Sequence, residues 1–91
     1  MYDYSGLPES LQDGMQRYLE HGIRAGDFLT NVLSNDLSGA VSRADSKNIN
    51  LLPDIVRWIY NEAPSGCWGS DIKVEAWLDN FKPVDKKQYL N

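Results

Sequence analysis

Apolar side chains return every three or four positions near the start of the chain, at Leu7, Leu11, Met15, Tyr18 and Leu19, while Glu9, Asp13, Arg17 and Glu20 fall opposite. This is the period of an amphipathic helix. Pro8 suits a first helical position, and Gly22 suits the left-handed residue just past a helix end. The spacing therefore predicts a helix from Pro8 to His21. Asp13 and Arg17, four apart, add a small ion-pair term.

The pattern then breaks into shorter pieces. Asp27 is placed to cap a helix carrying Phe28, Leu29, Val32 and Leu33 on one side. Asn35 or Asp36 ends it and caps a third helix with Leu37, Ala40 and Val41, which Gly39 weakens by up to ~1 kcal/mol relative to alanine. Asp45 or Ser46 caps a fourth, with the stripe Ile49, Leu52, Ile55, Val56 and Ile59 facing away from Asp54 and Arg57. Pro53 lies inside that stripe, where it removes a helical hydrogen bond and crowds the carbonyl four residues back. Either the helix starts near Leu52 or it runs through with a kink, and the unbroken phase of the stripe favours the second. This helix is predicted to end near Asn61, before Pro64. Ser70 caps the last one, Asp71 complements its dipole, and Val74, Trp77, Leu78 and Phe81 form its apolar face.

No strand alternation, internal repeat or low-complexity tract interrupts this reading. The expected fold is all-α, one domain over residues 1–91 of four to five short helices, with 1–6 and 83–91 frayed. Its densest information lies between Trp58 and Trp77, which contains all three tryptophans and the single cysteine. Trp77 falls on the core stripe of its helix. Trp58 falls off the stripe of its own, so it is expected at an interface, with Trp68 on the intervening loop as the next candidate.

Composition narrows the function. Ninety-one residues allow one modest core. Thirteen acidic against nine basic residues give a net charge of −4, which opposes direct binding of nucleic acid. One cysteine cannot form an internal disulfide and fits a reducing compartment. MYDYSGLPES has neither the basic start nor the apolar run of a signal peptide, and no stretch has the apolar length of a membrane span. A cytoplasmic protein is expected.

The candidate chemistry is thin. Cys67 is a possible nucleophile and His21 the only imidazole, but no lysine or arginine stands near Cys67 to lower its pKa. His21 sits where a cation meets a helix C-terminus, and a metal site would need companions that the sequence lacks. The run Gly66 to Ser70 leads into a helix start but lacks the longer glycine pattern and lysine of a phosphate loop. Asp71, Glu75 and Asp79, four apart on the last helix, form an acidic stripe suited to a basic partner. No catalytic residue, cofactor or metal is therefore expected. The predicted partner-binding residues are Trp58, Trp68, Asp71, Glu75 and Asp79.

In LPESLQDGMQRYLEHGI, GDFLTNVLSNDL, the RAD segment at Arg43 to Asp45 and IVRWIYNEAPSGCWGS, the chain resembles a group of short bacteriophage and prophage proteins in order and spacing. No activity or catalytic residue comes with the resemblance. It implies a small accessory protein made inside an infected or lysogenic cell. Expected, then, is a non-enzymatic protein that binds a host or phage macromolecule, such as a defence or replication factor it would inhibit. The alternative is a small-ligand or nucleotide binder with its site at an oligomer interface. A helix–turn–helix regulator built from Asp27 to Ala44 is disfavoured by the acidic balance and by the absence of basic residues in Phe28–Ser42.

Overall fold

The computed structural model describes residues 2–81. Five helices follow one another: α1 (Glu9–His21), α2 (Asp27–Leu33), α3 (Leu37–Arg43), α4 (Ser46–Glu62) and α5 (Asp71–Asp79), with 3₁₀ turns at Tyr4–Gly6 and Ser65–Cys67. No strand occurs among the described residues. The all-α class is as the periodicity predicts; the expected fraying of 83–91 lies outside the described residues.

Side chains set most of the helix starts. Asp36 accepts the Gly39 amide at 3.0 Å, Asp45 the Asn48 amide at 2.6 Å, and Ser70 the Lys73 amide at 3.1 Å. Each such cap contributes about 1 kcal/mol. Two expectations are corrected here. Pro8 is the residue before α1, extended at ψ 140°, and Gly26 rather than Asp27 precedes α2. Asp27 instead lies in the first turn, where its charge meets the helix dipole.

Helix α1 stops at Gly22, whose φ of 65° favours glycine. A side chain there would also strike Phe81. Between α2 and α3, Asn35 takes the same left-handed conformation at φ 62°, one that asparagine tolerates better than most residues. Helix α4 continues through Pro53, so the proline neither starts nor ends it.

One apolar cluster joins all five helices. Its hub is Tyr18, 1% exposed. The Tyr18 hydroxyl donates to the Cys67 carbonyl at 2.6 Å, and its own carbonyl accepts the Trp77 indole N–H at 3.0 Å. One residue of α1 thus fixes both the loop before α5 and α5 itself. The Gly69 amide completes the closure by donating to the Leu33 carbonyl at the end of α2, at 2.7 Å.

The expectation that residues 1–6 fray is corrected for the described part, 2–6. Asp3 caps the first 3₁₀ turn through the Ser5 amide at 3.0 Å. The Asp3 carbonyl accepts the Trp58 indole N–H at 2.7 Å, and the Tyr4 ring stacks on Trp58 with centroids 5.6 Å apart. Tyr4 also donates to Glu20 at 2.8 Å. Gly6 lies against the indole edge, so a Cβ there would come within 2.9 Å of Trp58 Cδ1.

Gly6→Ala should therefore lift the segment 2–7 from Trp58. In amide hydrogen exchange those residues lose protection while α1 to α5 keep theirs, at a global cost of about 1 kcal/mol. Unchanged protection of residues 4–7 would contradict this docking.

Candidate interaction surface

Helix α4 carries more apolar residues than one face can bury. At ~100° per residue they span about 200°, a little over half of its circumference, from Trp58 round through Ile55, Ile59 and Leu52 to Val56, Ile49 and Tyr60. A small domain covers one side of such an arc only. Ile55, Trp58 and Ile59 are buried, whereas Ile49, Val56 and Tyr60 are exposed. The predicted stripe is thus rotated. Its Ile49 and Val56 edge faces outward because the segment 2–7 packs on the Trp58 side and draws that edge into the core.

The outward edge does not stand alone. Leu37 and Val41, four apart on α3, are also exposed, at 68% and 46%. Between α3 and α4 lies a shallow groove of about 50 Å³, lined among others by Asp36, Leu37, Leu52 and Val56. Four residues beyond Val56, Tyr60 is 73% exposed and meets the half-buried Trp68 edge-on, with centroids 6.1 Å apart. A strip of exposed or half-exposed apolar side chains therefore runs from Leu37 across Val56 to Tyr60 and Trp68. The groove is far smaller than the roughly 300 Å³ at which small-molecule pockets begin, so the strip suits a surface more than a metabolite.

The predicted contact residues divide. Trp58 is only 6% exposed, which corrects its assignment to an interface. Its position off the expected stripe is explained by the intramolecular cover of Asp3, Tyr4 and Gly6. Trp68 remains half-exposed at the end of the strip. Trp77 packs on Tyr18 and Phe81. The acidic stripe is interrupted: Glu75 pairs with Arg24 through both carboxylate oxygens, at 2.6 and 2.7 Å. Asp71 accepts the amide of its neighbour Ile72 at 2.9 Å, and Asp71 and Asp79 are exposed.

Tyr60 and Leu37 are not among the predicted partner-binding residues, and Leu37, expected with Ala40 and Val41 on the apolar side of α3, is instead exposed. The available signal was the excess width of the α4 apolar arc, together with a tyrosine one turn past Val56.

Cys67 is wholly buried and its carbonyl is engaged by Tyr18, whereas His21 is exposed at the end of α1. Burial raises the Cys67 thiol from an ordinary value near 9 to about 11, and burial likewise raises the Tyr18 hydroxyl well above its usual range. Neither group is poised as a nucleophile at neutral pH. In the loop before α5, the Cys67 and Gly69 amides are spent on the Pro64 and Leu33 carbonyls, which takes away two donors that an anion would need. No cluster of His, Cys, Asp or Glu suited to a metal ion is found among the described residues. A wider hollow of about 470 Å³ lies between α1 and the start of α2, lined among others by Asp13, Arg17, Asp27 and Asn48. Among the described residues no helix is long and apolar enough to cross a membrane.

No family model, no curated protein and no solved structure matches the chain.

Both raised groups favour the neutral form in the folded state, so their stabilisation is complete below the unfolded thiol pKa near 9 and is lost as pH rises through about 11 and beyond. Urea unfolding should give a stability that is flat from neutral pH to about 9 and declines above it, and Cys67→Ala should make the decline shallower and later. Ellman's reagent should label native Cys67 at least about a hundredfold more slowly than the urea-unfolded chain, as expected for a thiol reached only by opening. Fast native labelling would contradict the burial.

Proposed function

We propose that this chain is a non-enzymatic accessory protein of the phage type that docks onto a host or phage protein in the host cytoplasm, as an inhibitor of a defence or replication factor would. The observation that carries the reading is the apolar strip from Leu37 through Val56 to Tyr60 and Trp68, left uncovered beside a sealed core. Exposed leucine and tyrosine side chains in a continuous row are costly to leave in water, and aromatic residues dominate binding energy at interfaces. Asp71, near Trp68 in sequence, and Asp79 supply rim charge, which governs encounter rate more than affinity. Trp58 and Glu75, engaged within the chain, take no part. The net charge of −4 supports a protein in preference to nucleic acid as the partner.

The test is affinity purification of the tagged chain from infected cells, read by mass spectrometry. A specific protein is recovered, and Tyr60→Ser or Leu37→Ser lowers its recovery at least about tenfold, or ~1.4 kcal/mol. Charge reversal at Asp71 and Asp79 lowers it by less. Full recovery with both strip variants would remove the strip as the docking face.

A further inference from the structure

The hollow between α1 and the start of α2 shares no residue with the strip. Its volume of about 470 Å³ lies within the roughly 300–1,000 Å³ of small-molecule sites. Leu11, Phe28 and Leu29 supply apolar lining, and Asp13, Arg17, Asp27 and Asn48 supply polar groups beside it.

Asn48 is 8% exposed, and its Oδ1 is buried without a hydrogen-bond partner. Its side-chain amide makes no hydrogen bond with any described residue. A primary amide enclosed in this way costs stability unless something outside the chain satisfies it. The charges are unspent as well. Asp13 and Arg17, four apart on α1, pair neither with each other nor with another described residue. Asp27 has only the long contact to Arg43, at 3.8 Å.

Two glycines in the wall point the same way. Gly14 lies inside α1, where only proline is a poorer choice. Its φ is not positive, and a Cβ there would meet nothing within 4 Å. Gly26, at φ −63°, is equally unconstrained. Neither backbone conformation nor a neighbouring side chain demands these glycines, and bare backbone lets a bound molecule approach closely.

Opposite charges left unpaired beside a buried amide and apolar side chains match a ligand that itself carries both charges. We infer that this hollow binds a small zwitterion of the amino-acid class with an apolar side chain. Its carboxylate meets Arg17, its ammonium meets Asp13 and the Asn48 oxygen, and its side chain meets Leu11 and Phe28. This site is independent of the docking strip.

The probe is free L-leucine, titrated into the full chain and followed by amide NMR, with leucinamide (no carboxylate) and N-acetyl-leucine (no ammonium) as controls. Leucine shifts the Gly14, Gly26 and Asn48 signals with a Kd of about 1 mM or tighter, and each control binds at least about tenfold more weakly. Arg17→Gln weakens leucine by a similar factor. Asn48→Leu replaces the amide by an apolar group of like size, and Gly14→Leu fills the hollow with a better helix former. Both weaken leucine at least about tenfold while leaving the midpoint of urea unfolding unchanged or higher, which a merely structural role would not do. No shift at ~20 mM leucine, or binding by these two variants equal to wild type, overturns the inference. Equal binding of leucinamide would assign the hollow to a cation, and equal binding of N-acetyl-leucine to a carboxylate; either overturns the zwitterion. A lowered midpoint for Asn48→Leu would show that the fold itself uses the amide and would overturn its role as a ligand group. Tyr60→Ser leaves leucine binding unchanged, so failure of the docking face and failure of this site are read separately.

Discussion

Tyr18 is buried in the middle of α1 and bonded at both ends, its hydroxyl to the Cys67 carbonyl and its carbonyl to the Trp77 indole. Those two bonds are the buried polar ties from α1 to the loop 63–70 and to α5; the Gly69 amide on the Leu33 carbonyl and the exposed Arg24–Glu75 pair hold the same region from outside α1. Apolar packing alone is non-directional and sets no register. A buried carbonyl that loses its donor costs about 1–3 kcal/mol, a large share of the stability of a domain this small. The position of Trp68, and hence one end of the strip, follows from this closure.

The tryptophans work as long-range ties. Trp58 and Trp77 each bury a ring and donate one N–H to a carbonyl more than fifty residues away in sequence. Each indole thus satisfies a backbone acceptor while covering apolar surface, a pairing well suited to a domain with little core. Trp58 binds the N-terminal segment to α4, and that choice decides which edge of α4 stays outside. Intramolecular cover on one side leaves Ile49, Val56 and Tyr60 bare on the other.

Much of the fold was legible because it is written locally. The period of Leu11, Met15, Tyr18 and Leu19, the caps at Asp36, Asp45 and Ser70, and the glycine at position 22 all act within a few residues of themselves. The remainder depends on interactions that have no local signature. No periodicity announces that residues 2–6 will lie on Trp58, so the segment read as frayed and the indole as exposed. The stripe on α4 was placed one edge too far round for the same reason, since Ile49 and Val56 are as hydrophobic as Ile55 and differ only in what covers them. Glu75 read as part of an acidic stripe because its partner, Arg24, is distant in sequence.

Fold and surface should therefore be separable: Tyr18 supports the interior, and the exposed strip on α3 and α4 contributes nothing to it. The most direct measurement is urea unfolding of Tyr18→Phe combined with hydrogen exchange at Gly69 and along α5. The account predicts a loss of about 1–3 kcal/mol, with protection falling first at Gly69 and in α5. A loss below about 0.5 kcal/mol, with those amides as protected as in the wild type, would contradict it.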